Sequence, residues 1–195
     1  MFLLGLTGSI GMGKSTTAQL FADHGCIVWD ADAAVHRLYA KGGLAVAPMA
    51  QVFPQAILDN AISRDVLKQI IATDAEALKK IEQIVHPLVG RDRAEFLAAA
   101  ESDIAVLDIP LLFETGGDAH VDATACVLVN DTIQEDRVLA RGTMTRDQFL
   151  TIKAKQMPAT EKCARADYVI ETDTLEHAAA QVQSIVDQIR SRPNA

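Results

Sequence analysis

The sequence has no apolar run that approaches the roughly 20 residues of a membrane span, although hydrophobic residues make up 49% of its 195 positions. Cysteine is scarce: Cys26, Cys126 and Cys163 lie far apart and form no C-x-x-C pair. That argues against a disulfide framework or a zinc site and favours a reduced cytoplasm. Basic residues are outnumbered, with 18 Lys and Arg against 26 Asp and Glu and a net charge of −8. This balance argues against general nucleic-acid binding. An acidic chain that holds an anion must concentrate its few cations locally, so basic residues near loops are informative. There is no internal repeat and no low-complexity tract. The opening Met1-Phe2-Leu3-Leu4-Gly5 lacks a charged n-region and a long apolar core, and reads as a strand rather than a signal peptide. The length suits one domain, or one with an insertion, and can bury a sizeable core without staples.

What is present is concentrated near the start. Gly8-Ser9-Ile10-Gly11-Met12-Gly13-Lys14-Ser15 fits G-x-x-x-x-G-K-[ST], the phosphate-cradling P-loop. Phe2 to Leu6 reads as a buried strand running in, and Thr16 to Ala22 as a helix running out. A glycine-rich turn without a ligand is the bland alternative; the strand and helix on either side argue against it. Gly8, Gly11 and Gly13 let the backbone turn sharply and approach a ligand. The loop and the first helical turn, including Met12 and Thr16, can then offer N–H groups to anionic oxygens. Lys14 is placed for the β- and γ-phosphates, and the Ser15 hydroxyl for Mg²⁺.

Four further apolar segments read as strands: Cys26–Trp29, Ile104–Asp108, Thr124–Val129 and Ala166–Ile170. They alternate with helical patterns, so the five strands form an α/β parallel sheet covered by helices on both faces. The second strand ends in Asp30-Ala31-Asp32, and in such folds ligands bind outside the carboxyl ends of the strands. One of the two aspartates is expected to cap the helix Ala33–Tyr39, and Asp32 is the better candidate for function. From 42 to 101 the pattern is helical, with no convincing strand. Ser63 caps a helix from Arg64, a second helix covers Ala75–Val85, and His86-Pro87 breaks it before a third. Some 60 helical residues exceed what one crossover needs and look like a substrate-covering insertion. Ile104–Asp108 is apolar and closes on an acid, the form of a Walker B strand, so Asp108 is a candidate Mg²⁺ neighbour. Ile109 to Glu114 follows as an apolar segment outside a strand end, suited to lining a cavity. Arg137 and Arg141 share one helix face, and Gly142 to Thr145 breaks that helix before another begins at Arg146. Two arginine-bearing helices around a flexible joint resemble a lid for phosphate, which arginine binds bidentately. Thr174–Ile189 is an amphipathic closing helix, and 190–195 reads as a frayed tail.

Taken together, these stretches resemble the dephospho-CoA kinase family over nearly the whole chain. The matching residues are Gly5 to Ser15, Asp30-Ala31-Asp32, Ile62-Ser63-Arg64, His86-Pro87-Leu88, Asp108-Ile109-Pro110-Leu111-Leu112-Phe113-Glu114, Gln156 and Ala166 to Ile170. The His-Pro pair and the Pro-Leu-Leu-Phe-Glu run look like signatures of the CoA-substrate region. The resemblance implies a three-layer P-loop NTPase fold of the nucleoside-monophosphate-kinase kind, with five parallel strands in the order 2-3-1-4-5. It implies one kinase domain over 1–195, with a helical CoA subdomain at 42–101 and a lid at 137–157. The implied reaction is ATP-dependent phosphorylation of the ribose 3′-hydroxyl of dephospho-CoA, the last step of coenzyme A synthesis.

By the same resemblance, Asp32 is the acceptor-side base or orienting group, and Lys14 and Arg141 steady the transferring phosphoryl. Arg137 assists at ATP. Arg64, His86, Pro110, Leu111, Leu112 and Glu114 contact or shape the dephospho-CoA site. Mg²⁺ rests on Ser15 with Asp108 nearby. The expected partners are the small molecules ATP and dephospho-CoA, with no nucleic acid, membrane or obligate protein partner, in the cytoplasm. Two departures stand out. Gly8-Ser9 replaces a frequent Gly-Gly pair, and Glu171-Thr172-Asp173 replaces an asparagine followed by glycine, so no adenine contact is assigned to Asp173. The alternatives are another small-molecule P-loop kinase and, from a different class, a GTPase-type switch. The second is disfavoured because Asp108-Ile109-Pro110-Leu111 lacks the D-x-x-G glycine and Val129-Asn130-Asp131-Thr132 is not an N-K-x-D guanine reader.

Overall fold

The computed structural model describes residues 1–192. Five strands form one sheet: β1 (Phe2–Thr7), β2 (Ile27–Asp30), β5 (Ile104–Asp108), β6 (Ala123–Leu128) and β7 (Tyr168–Glu171). Their order is β2-β5-β1-β6-β7. Counting sheet strands along the chain, this is the expected 2-3-1-4-5. The registers of β1 with β5, β1 with β6 and β6 with β7 are parallel. β1 is thus central, and its C-terminal end delivers the glycine loop to the middle of the sheet.

Alternation along the strands divides the chain's apolar residues between two faces. Leu4, Leu6, Val106, Ala125 and Val127 point to one face. There α1 (Lys14–Asp23) contributes Phe21, and α9 (Leu175–Arg190) contributes Val182, Ile185, Val186 and Ile189. Cys126, lying between Ala125 and Val127, points to the opposite face and meets Cys163 of α8 (Ala159–Arg165), Sγ to Sγ 3.4 Å. The two cysteines are distant in sequence and adjacent in space. Burial raises the pKa of both thiols, which keeps them protonated and poorly reactive. The last described turn is anchored: Arg190 bonds Asp103 at 2.7 Å and Arg192 bonds the Tyr168 hydroxyl at 2.7 Å. Residues 193–195 of the expected frayed tail lie outside the described residues.

The chain divides into two compact units, one made of Met1–Trp29 with the segment from Glu101 onward, the other of Asp30–Ala100. The second unit has its own core. Leu38 of α2 (Ala31–Tyr39), Met49 of α3 (Val46–Val52), Leu67 of α4 (Arg64–Thr73), and Ile81 and Val85 of α5 (Ala77–Ala98) pack together. Because Leu38 belongs to that core, the helical unit begins at Asp30 and takes in α2. Two expectations are corrected here. Residues 42–101 are not wholly helical: β3 (Ile57–Leu58) and β4 (Ala61–Ile62) form a short hairpin. Its turn residues Asp59 and Asn60 sit at φ 51° and 61°, which Asp and Asn tolerate better than other side chains. And His86-Pro87 does not end a helix, since α5 runs through Pro87 without a break. Ile81 and Val85 before the proline are buried, and Leu88 and Val89 after it pack on the same core. Burial of that shared stripe outweighs the missing hydrogen bond.

Candidate functional site

The glycine loop joins β1 to α1 through two left-handed residues, Gly11 at φ 78° and Gly13 at φ 88°. Gly13 is the N-cap of α1 and offers no side-chain acceptor. The first-turn N–H groups have no intrahelical acceptors by geometry, so they are left for an external anion. The loop is also hemmed in. A Cβ on Gly11 would lie 2.4 Å from Val138 Cγ2 and 3.0 Å from the Gln134 carbonyl. Gly11→Ala combines that clash with a left-handed backbone. It is expected to abolish nucleotide binding and lower the melting temperature by several degrees, measurable by calorimetry and thermal shift.

The loop is held from outside by both helices of the arginine-bearing arm, α6 (Asp131–Ala140) and α7 (Arg146–Lys155). Gln134 of α6, fully buried, donates from Nε2 to the Ile10 carbonyl at 2.7 Å. Gln156, the C-cap of α7, accepts the Ile10 N–H at 3.1 Å. α6 starts under an Asn130 cap and α7 under a Thr145 capping box with Gln148, which fixes where each helix begins.

Lys14 sits in the first turn of α1 and forms an ion pair with Asp108. The pairing follows from topology: Leu6 lies opposite Asp108 in the β1–β5 ladder, so the strand end and the loop converge. Asp108 is 2% exposed, and a carboxylate at that depth needs a charged or hydrogen-bonding partner. Ser15 is exposed beside Lys14. A hydroxyl and a carboxylate at this position are hard oxygen donors and fit Mg²⁺, which commonly takes one or two protein oxygens and completes its shell with phosphate and water. Among the described residues, no group of three or more His, Cys, Asp and Glu gathers into a metal cluster.

Arg137 donates to the Thr172 carbonyl at 2.6 Å and to Thr172 Oγ1 at 3.1 Å. Thr172 is 5% exposed and its hydroxyl donates to the Met12 carbonyl at 2.8 Å. One threonine thus ties the glycine loop to the arginine. Sequence reasoning passed over it, though the Glu171-Thr172-Asp173 departure marked the place. Arg137, Arg141, Thr172, Gly13, Thr16 and Leu175 share a pocket of about 170 Å³. A wider groove of about 560 Å³ has Asp131, Glu171 and Asp173 in its wall and no basic side chain, so it repels phosphate. Thr172→Val removes the hydroxyl and keeps the shape. It is expected to weaken ATP binding about tenfold, the size of one hydrogen bond to a charged partner, and to leave the KM for the phosphate acceptor unchanged in initial-rate assays.

The Pro110–Glu114 segment follows β5. The Pro110 carbonyl accepts from Thr7 Oγ1 at 3.0 Å and from Lys162 Nζ at 2.8 Å. Leu112 is buried against the face of β1 bearing Gly5, while Leu111 is 43% exposed. Glu114 pairs with Lys162 at 2.9 Å and accepts the Met157 N–H at 3.1 Å. Burial pushes its carboxyl pKa up, but the bonds from Lys162 and the backbone outweigh this and hold it below the ordinary value. In the helical unit, Asp30 is the N-cap of α2, accepting the Ala33 N–H at 2.9 Å. That leaves Asp32, exposed in the first turn, with no capping duty. Arg64 follows the Ser63 cap of α4 and lies 5.7 Å from the centroid of the Tyr39 ring. His86 is exposed in mid-α5.

A phosphate-cradling loop at the centre of a parallel sheet, its lysine against an acidic strand end, and paired arginines nearby define a P-loop kinase. Sequence comparison narrows this. A family model described as Dephospho-CoA kinase matches residues 2–177. A Dephospho-CoA kinase of Ruegeria pomeroyi is 67% identical over 190 residues, covering 97% of this chain and 96% of its own. The crystal structure of TT1252 from Thermus thermophilus is 33% identical with a TM-score of 0.88, and covers 96% of both chains. The dephospho-CoA kinase of Campylobacter jejuni, 21% identical, shares the fold with a TM-score of 0.69 over 96% of both chains. The chain belongs to the dephospho-CoA kinase family. It is a kinase that phosphorylates dephospho-CoA at the expense of ATP in coenzyme A synthesis.

Proposed function

We propose that the transfer goes from Mg²⁺-bound ATP to the ribose 3′-hydroxyl of dephospho-CoA. The observation that carries this is the convergence of Lys14 and Asp108 at the head of the central strands. Phosphoryl transfer asks mainly for positioning and charge neutralisation, and this arrangement offers both. The glycine loop's N–H groups bind the β- and γ-phosphates, with Gly8 to Thr16 as the cradle. Lys14 leaves Asp108 in part to meet the γ-phosphoryl oxygens. Ser15 and Asp108 would hold the metal, which would supply positive charge to neutralise the phosphates. The pocket beside Thr16 and Leu175 takes the nucleoside end of ATP, its mouth flanked by Arg137 and Arg141. Arg141, exposed at the end of α6, steadies the charge developing on the phosphoryl group, and residues 137–157 act as a lid that excludes water.

On the acceptor side, Asp32 orients the hydroxyl and receives its proton. Arg64 and His86 bind dephospho-CoA. Pro110, Leu111, Leu112 and Glu114 shape its cavity, with Leu111 the exposed apolar member and Glu114 acting through Met157 and Lys162. Both substrates are small molecules, and we place the reaction in the cytoplasm. A coupled ATP-consumption assay with dephospho-CoA, adenosine and AMP tests the acceptor. Turnover dependent on dephospho-CoA is expected. Equal turnover with adenosine or AMP overturns the assignment.

A further inference from the structure

Lys162 is the one fully buried lysine among the described residues, at 0% exposure. A buried ammonium loses its hydration, and an ion pair at depth is weak support for stability: an apolar side chain of similar volume often serves as well. A helix of this length on a sheet face needs only a methionine there. What a methionine cannot do is donate. The Lys162 ammonium has two acceptors, the Pro110 carbonyl at 2.8 Å and Glu114 Oε1 at 2.9 Å. These are the two ends of one five-residue segment. The same helix grips the segment a third time, with the Arg165 guanidinium 4.6 Å from the centroid of the Phe113 ring.

The network then leaves the segment. Glu114 Oε1 also accepts the Met157 N–H, and the residue before Met157 is Gln156, whose side chain seats the Ile10 N–H of the glycine loop. Two successive residues after α7 thus touch the acceptor-side segment and the donor-side loop.

We propose that Lys162 is a positioning residue for dephospho-CoA: by clamping Pro110 and Glu114 it sets the curvature of the segment that presents Leu111, and ties that segment to the end of the lid. The inference rests on the reading that Pro110–Glu114 shapes the dephospho-CoA site. No contact between Lys162 and a substrate is involved.

The test is initial-rate kinetics with both substrates varied, alongside thermal melting, on Lys162→Met, Lys162→Met/Glu114→Gln and Leu111→Asp. Lys162→Met is expected to raise the KM for dephospho-CoA about ten- to a hundredfold, the range for losing a charge-assisted bond, and to leave the KM for ATP within about twofold. In the double variant no carboxylate is left without its cation, so the melting temperature returns towards the parent. The KM for dephospho-CoA stays high, because Pro110 still lacks its donor. If KM and melting temperature recover together, Lys162 is merely structural and the proposal falls. It falls equally if both KM values rise in parallel. A raised KM in Leu111→Asp with a normal one in Lys162→Met overturns the positioning role and keeps the segment at the substrate. Normal KM values in both overturn that reading as well. Should Lys162→Met not fold, the double variant decides by the same KM.

Discussion

Lys14→Ala is expected to lower kcat by about a thousandfold and to weaken ATP binding. One preorganised donor aimed at developing charge contributes about 10²–10³ in rate, and in the proposed mechanism Lys14 also meets ground-state phosphate. A second effect follows from its ion pair. Without Lys14, the 2%-exposed Asp108 carboxylate loses that cation. Removing one member of a buried pair costs about 3–5 kcal/mol, so the single variant will also melt earlier. Lys14→Met/Asp108→Asn separates the two effects. The double variant regains melting temperature, since no charge is stranded, and stays inactive. Parent-rate transfer of labelled phosphate by either variant would remove Lys14 from the reaction.

Asp32→Asn is expected to cost about 10²–10⁴ in kcat, the range for a general base, with ATP affinity unchanged. The substitution keeps the size of the side chain and a hydrogen-bonding oxygen, so in the proposed mechanism the acceptor hydroxyl keeps a partner but loses the base for its proton. Asp30 provides the internal control. It caps α2 through the Ala33 N–H, and Asp30→Ala should lower stability by about 1 kcal/mol with a much smaller effect on turnover. Isothermal calorimetry with ATP and initial rates with dephospho-CoA distinguish the pair. If Asp32→Asn turns over normally, the proton leaves by another route.

The sheet was legible because each of its strands is a short apolar run closed by an acid, a glycine or a cap, and such runs alternate with helices. Asn130, Thr145, Thr174 and Ser63 all cap helices where their side-chain chemistry predicts. The loop was legible because glycine takes positive φ values such as those at Gly11 and Gly13 without steric cost. What the sequence hid depends on partners distant in the chain. Pro87 looks like a break until Ile81, Val85 and Leu88 are seen to share one core. Asp59-Asn60 is a tight turn whose flanking strands, two residues each, are too short for any alternation to register. Lys162 reads as one more surface lysine of a short charged helix, since nothing local reports the carbonyl of Pro110. Thr172 stood at a visible departure from the family pattern, but its bonds to Met12 and Arg137 span 160 and 35 positions. The Pro-Leu-Leu-Phe-Glu run was recognised as a unit, and only the structure divides it into buried Leu112 and Phe113 and exposed Leu111 and Glu114.

The two glutamine contacts to Ile10 have a mechanical consequence. The N–H and the C=O of one residue belong to successive peptide planes, and each plane here is pinned by a carboxamide from a different helix. A crankshaft flip of either plane must break a bond to a side chain rooted outside the loop. The Ile10 oxygen therefore stays committed to Gln134 and does not swing round to oppose an incoming polyanion. The orientation of the dipoles is settled before any nucleotide arrives, and the energy of binding need not be spent on turning them.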